Sequence, residues 1–138
     1  MNDVSVLDNK YLYPITHGGI AYPALENAFQ ATRFKDPAMK KRFVIFTPHE
    51  AAYKGKSFVT TETDWVNNKY DIMYQLLVEK FKNPEFRKAL LATGDSEIVM
   101  FNNQHDNEWG SCTCSRCKNR GYNKAGILLM QIRDELKD

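Results

Sequence analysis

Between Asp64 and Phe81 the apolar residues Trp65, Ile72, Met73, Leu76, Leu77 and Phe81 recur three and four positions apart, which lays a wide stripe along the longest predicted helix. A shorter helix is predicted over Tyr22–Gln30, with Leu25, Ala28 and Phe29 on one side and Glu26, Gln30 and Arg33 on another. The last helix follows Asn123 and carries Ile127, Leu128, Leu129, Ile132 and Leu136 on its apolar face. Short strands fit only at Leu12–Thr16, Ile20–Tyr22 and Glu97–Phe101.

Proline supports this division, because at the first helical position it loses no hydrogen bond and presets φ. Pro23, Pro37, Pro48 and Pro84 are each expected to open a helix, the last three behind the caps Asp36, Thr47 and Asn83. Thr47 and Glu50 complete a capping box. Gly55 and Gly94 fall just past helical patterns, where left-handed terminators belong. Repeats, low-complexity tracts and Pro/Gly/Ser linkers are absent. The expectation is an α-rich α+β fold, one domain over residues 1–138 with a small β-sheet packed by helices.

Composition narrows the class. With 138 residues, 43% of them hydrophobic, the chain can build one core without staples. A net charge of +2 gives no general case for a nucleic-acid or membrane partner, so any basic site must be local. No apolar run approaches the roughly 18 residues that cross a bilayer. The segment Met1–Ser5 lacks both a basic and an apolar leader region, so a cytoplasmic location and no membrane partner are expected. Oligomeric state stays open. Cys112, Cys114 and Cys117 are odd in number and crowded, which fits thiols or metal ligands in a reducing compartment better than disulfides.

Several segments carry candidate chemistry. The Glu26, Gln30, Arg33 face reads first as a solvated helix face; alternatively Arg33 and Lys35 receive a phosphate while Glu26 faces a sugar. In Asp106-Asn107-Glu108-Trp109-Gly110, acidic groups adjoin an indole able to stack on a base; the plainer reading is a surface loop anchored by a buried Trp. The three cysteines could wrap a structural zinc if a fourth donor arrives, with His105 the candidate, or remain free thiols. Asn123 suits a helix cap, and the amides behind it, with Lys124 and Arg120, suit a phosphate. Lys69 and Lys80 are solvated charges by default and anion ligands if they turn toward the Glu26 face. There is no G-x-G-x-x-G, no G-x-x-x-x-G-K and no G-x-S-x-G, which removes three common nucleotide-binding and hydrolase templates.

Taken together, Tyr-Pro-Ala-Leu-Glu-Asn-Ala-Phe-Gln-Ala (22–31), Asp-Trp (64–65) with Lys69, Lys-Phe (80–81), Leu-Leu-Ala-Thr-Gly-Asp (90–95), Asp-Asn-Glu-Trp-Gly (106–110) and Asn-Lys-Ala-Gly-Ile-Leu-Leu-Met (123–130) resemble the NADAR, or YbiA-like, family over nearly the whole chain. The resemblance implies an N-glycosidase. Its substrate would be a ribosylaminopyrimidine phosphate of riboflavin synthesis or ADP-ribose attached to a nucleobase, free or within nucleic acid. It implies Glu26 and Asp106 as catalytic groups. Asn9, Gln30, Arg33, Trp65, Lys69, Trp109, Gly110 and Asn123 would bind substrate. No cofactor is required beyond the structural zinc the cysteines could hold.

The chain also departs from the family pattern. Glu62 stands where an arginine usually precedes Asp-Trp, Asn27 where a histidine follows the glutamate, Lys10 where a phenylalanine stands, and Met100 where a glutamate ends the strand. Exchange of an arginine for a carboxylate weakens a phosphate clamp. A non-catalytic binder of NAD or ADP-ribose therefore stays in view, and the cysteine cluster keeps a small zinc-containing interaction module beside it.

Overall fold

The structure, a computed structural model, describes residues 5–57 and 63–137; Glu62 lies outside them. Two compact units divide the chain, one ending at Lys80 and the other starting at Phe81.

The first unit opens with strands β1 (Leu12–His17) and β2 (Ile20–Ala24), paired antiparallel. Gly18 and Gly19 join them with φ of +58° and +81°, the left-handed pair that a tight two-residue hairpin needs. The register runs His17↔Ile20, Thr16↔Ala21 and Ile15↔Tyr22, then breaks before Leu12↔Ala24. The break coincides with Pro14 and Pro23, neither of which has an N–H to give the ladder. Pro23 therefore does not open a helix, and the predicted helix loses its first three residues. α1 covers Leu25–Ala31, behind an extended Ala24.

Three further helices complete this unit: α2 (Pro37–Ile45), α3 (Pro48–Ser57) and α4 (Thr63–Lys80). The Asp36 side chain accepts from Ala38 N–H. Thr47 and Glu50 close their capping box in both directions, at 2.8 and 3.1 Å. Gly55 departs from expectation. It lies inside α3, buried, because the helix continues two residues past it. The core gathers Ile15, Tyr22, Leu25, Ala28, Phe29, Phe43, Met73 and Leu77. Asn27 is fully buried, and its amide donates to the carbonyls of Phe43 and Phe46, tying α1 to the end of α2.

The second unit contains α5 (Pro84–Leu91), capped by Asn83, the two-residue strands β3 (Phe101–Asn102) and β4 (Ser111–Cys112), and α6 (Lys124–Leu136). Gly94, at φ +63°, fills its expected place after α5. β3 and β4 pair in parallel, so the described strands form two small ladders rather than one sheet. α6 buries Ala125, Gly126, Leu129, Ile132 and Arg133, whereas Ile127 is 48% exposed. The buried stripe is rotated because Arg133 reaches inward to Thr93 Oγ1 and the Ser96 carbonyl. No described helix is long and apolar enough to cross a membrane.

Candidate active site

On α1 every residue except Glu26 is buried, and Glu26 itself is half-buried. Its backbone N–H, left over at the helix start, donates to the Asn9 carbonyl at 2.9 Å. Asn9 is thus fixed against the first turn. Its side-chain Nδ2 contacts Met73 Sδ, and its buried Oδ1 has no hydrogen-bond partner.

A polar chain runs from Glu26 along the helix. Gln30 Nε2 donates to Glu26 Oε2 at 2.7 Å, and Arg33 Nε donates to Gln30 Oε1 at 2.6 Å. A carboxylate can only accept and a guanidinium can only donate, so these two neighbours fix which way the Gln30 amide points. Arg33 in turn stacks on the Trp65 ring, 4.1 Å from its centre, and the indole N–H donates to Thr32 Oγ1 at 2.9 Å. Lys69 Nζ lies 5.8 Å from the same ring. Thr32, Arg33, Lys35, Trp65 and Asn68 line a cleft of about 170 Å³.

The predicted solvated face is therefore only partly so, since Gln30 is 3% exposed. Gly55 explains how it fits. A Cβ there would stand 2.1 Å from Gln30 Oε1, so any larger residue would push the Gln30 amide out of its place. Asn9, Glu26, Gln30, Arg33, Trp65 and Lys69 all belong to this unit. Lys80 does not join the cleft-lining group: it is buried and donates to the Asp8 carbonyl at 2.8 Å.

In the second unit, Asp106 organises its own loop. Its Oδ1 accepts from the N–H groups of Glu108 and Trp109, at 3.1 and 3.0 Å. Asn102 clamps the approach, accepting from Gln104 and Asp106 N–H and donating to the Asp106 carbonyl. Gly110 permits a close crossing, because a Cβ there would meet the Met100 carbonyl at 2.2 Å. The carbonyls of Glu108 and Trp109 accept from Lys124 and Ala125 N–H at 2.9 Å each. The N–H groups of Lys124 and Ala125 are thereby engaged by the loop.

Asn123 also differs from the expected cap. It sits in the left-handed region at φ 55° with no side-chain cap bond. Its amide bridges instead to Met100 N–H and the Ile98 carbonyl, both at 2.8 Å. Asn102 and Asn107 are loop clamps that periodicity does not reveal, although side chains that mimic backbone groups are the usual signal for such loops.

His105 joins the three cysteines. Its Nδ1 lies 3.8, 3.5 and 3.4 Å from the Sγ atoms of Cys112, Cys114 and Cys117. All four ligand atoms fall within 4.8 Å of one another, an arrangement that could bind a metal ion. The Cys114 thiol is lowered to about 6, chiefly by the Cys117 backbone N–H, which donates to its sulfur at 3.4 Å.

A sequence model of the NADAR domain matches residues 3–137. N-glycosidase YbiA of Escherichia coli (strain K12) is 29% identical over 138 residues, spanning 98% of this chain and 83% of that protein. N-glycosidase Npun_R5314 of Nostoc punctiforme is 32% identical over 123 residues, spanning 85% and 76%. Riboflavin biosynthesis protein VVA0006 of Vibrio vulnificus is 28% identical over 135 residues; the match takes in 96% of this chain but only 35% of the Vibrio protein. The NMR structure of E. coli YbiA matches with a TM-score of 0.78 at 29% identity, covering 95% of this chain and 77% of that one.

Proposed function

The chain belongs to the NADAR domain family, and on that premise we propose that it is an N-glycosidase, a hydrolase cleaving the C–N bond between ribose and a nitrogenous base. The observation that carries the reading is the Glu26–Gln30–Arg33 chain. It couples a half-buried carboxylate to a guanidinium that is held on an indole and lines a cleft.

Departure of the base builds positive charge on the sugar, and a fixed carboxylate attracts that charge more strongly in the transition state than before it. Glu26 takes a proton from the attacking water as the water oxygen bonds to the anomeric carbon. The C–N bond breaks with its electron pair going to the base nitrogen, which picks up a proton. One water is consumed and no redox partner or metal is needed at the reacting bond.

Arg33, with Lys69 nearby, suits the anionic oxygens of a phosphate or pyrophosphate. Asn9 Oδ1, buried without a partner, suits a ribose hydroxyl. The family resemblance assigns Trp109, Gly110 and Asn123 to substrate and Asp106 to catalysis. Because Asp106 Oδ1 already holds two loop amides, its contribution is to set that loop and orient substrate through it. The substrate is a ribosylaminopyrimidine phosphate or ADP-ribose on guanine. We place the enzyme in the cytoplasm, in keeping with its three free cysteines. His105, Cys112, Cys114 and Cys117 are proposed to hold a structural zinc.

The test is incubation with each substrate class and mass detection of the liberated base and sugar phosphate. Glu26→Gln should lower turnover roughly 10²–10⁴-fold, since a Gln carbonyl can still accept from Gln30 and keep the fold. Turnover near wild type would remove Glu26 from the chemistry. Tight calorimetric binding of intact ligand with no released base would favour the binder instead.

A further inference from the structure

His105 Nδ1 can make one hydrogen bond, yet it stands almost equally far from three sulfur atoms, at 3.4, 3.5 and 3.8 Å. Four donors arranged around a shared centre explain that spacing, and pairwise hydrogen bonds do not. With Zn–S near 2.3 Å and Zn–N near 2.1 Å, a tetrahedral ion sets N···S separations of about 3.6 Å. The observed values bracket that figure. Three thiolates and one imidazole are also the donor set that selects zinc over harder cations.

The surrounding backbone is shaped to present these donors. Cys117 N–H donates to Cys114 Sγ, and Lys118 N–H returns to the Cys114 carbonyl at 2.9 Å. Lys118 and Asn119 then adopt φ of 55° and 56°, turning the chain sharply after the last thiol. Asn119 N–H closes the turn on the Cys112 carbonyl at 2.9 Å. His105 is itself left-handed, at φ 63°, an uncommon conformation that needs support from its partners.

Resting on the zinc reading of this cluster, we infer that the ion is the clip that sets the Asp106–Gly110 loop, so that the conformation of the substrate loop depends on metal occupancy. The ligands sit at both ends of that loop. His105 is the residue before Asp106. Cys112 follows Gly110 by two positions and donates its N–H to Asn107 Oδ1 at 2.8 Å. Holding both ends on one ion shortens the span the loop must close and keeps the Asp106 carboxylate under the amides of Glu108 and Trp109. Loss of the ion frees His105 from its left-handed pose, and that release passes directly into the Asp106 peptide.

Protein purified without chelator should carry one zinc per chain by atomic absorption. Cobalt substitution should show thiolate-to-cobalt charge transfer with tetrahedral d–d bands. Chelation should then raise hydrogen exchange across residues 106–113 while leaving α1 unchanged, and lower glycosidase turnover ~10-fold or more. His105→Cys, which offers a fourth thiolate, should keep the metal and the loop protection, whereas His105→Ala should lose both. Absence of zinc together with absence of cobalt charge transfer would overturn the metal site itself. A bound metal whose removal leaves exchange over 106–113 unchanged would overturn the inference alone.

Discussion

Gln30 is the side chain that converts separate charges into one unit, and its importance could not be read from a helical wheel. The spacing of Glu26, Gln30 and Arg33 was plain in the sequence; that the middle member would be buried under a neighbouring helix was not, because burial depends on which residue arrives from α3. Gln30→Leu should preserve α1, which Asn27 and the apolar residues still anchor, yet lower kcat/KM by breaking the link between Glu26 and Arg33. Unchanged kinetics in that variant would separate the chain from catalysis. Lys80 makes a different prediction. Burial lowers it from the ordinary 10.5 to about 8, with Asp8 opposing the shift. Between those values the unfolded chain binds more protons than the folded one, so stability rises with pH across that window. Below pH 8 both states are protonated and the full cost of the buried charge, roughly 3 kcal/mol, is present. Urea unfolding from pH 7 to 10 should show the rise in the wild type and lose it in Lys80→Met.

At the scale of elements, local chemistry was the legible part. Asp36, Thr47 with Glu50, and Asn83 cap their helices as their residue types dictate, through contacts no more than three residues apart. Pro23 misled because a residue that cannot donate serves an interrupted ladder as well as a helix start. In the segment from Asn102 to Asn123 the candidate residues were legible but their hydrogen bonding was not. Those bonds join residues with no periodic pattern, such as Asn123 to Met100 and Asn107 to Cys112. Gly55→Ala tests how closely elements must pass. Alanine favours a helix by up to about 1 kcal/mol, so helicity should hold or improve while the displaced Gln30 amide lowers turnover. Activity equal to wild type would show that the close passage of α3 is dispensable.

For the whole molecule, each unit contains one tryptophan, Trp65 in the first and Trp109 in the second. Neither unit exceeds 80 residues, a size at which one core seldom supplies more than about 3–5 kcal/mol. We therefore propose that the chain behaves as the single domain its lack of linkers suggests. Trp65→Phe and Trp109→Phe proteins should report coincident denaturant transitions; midpoints that separate would argue for independent folding. The coupling of Arg33 to Glu26 through one amide bears on the choice of ligand. An anionic tail seated on the guanidinium would align the reacting end from a distance, so a neutral nucleoside should be hydrolysed sluggishly even at saturation, not merely held less tightly.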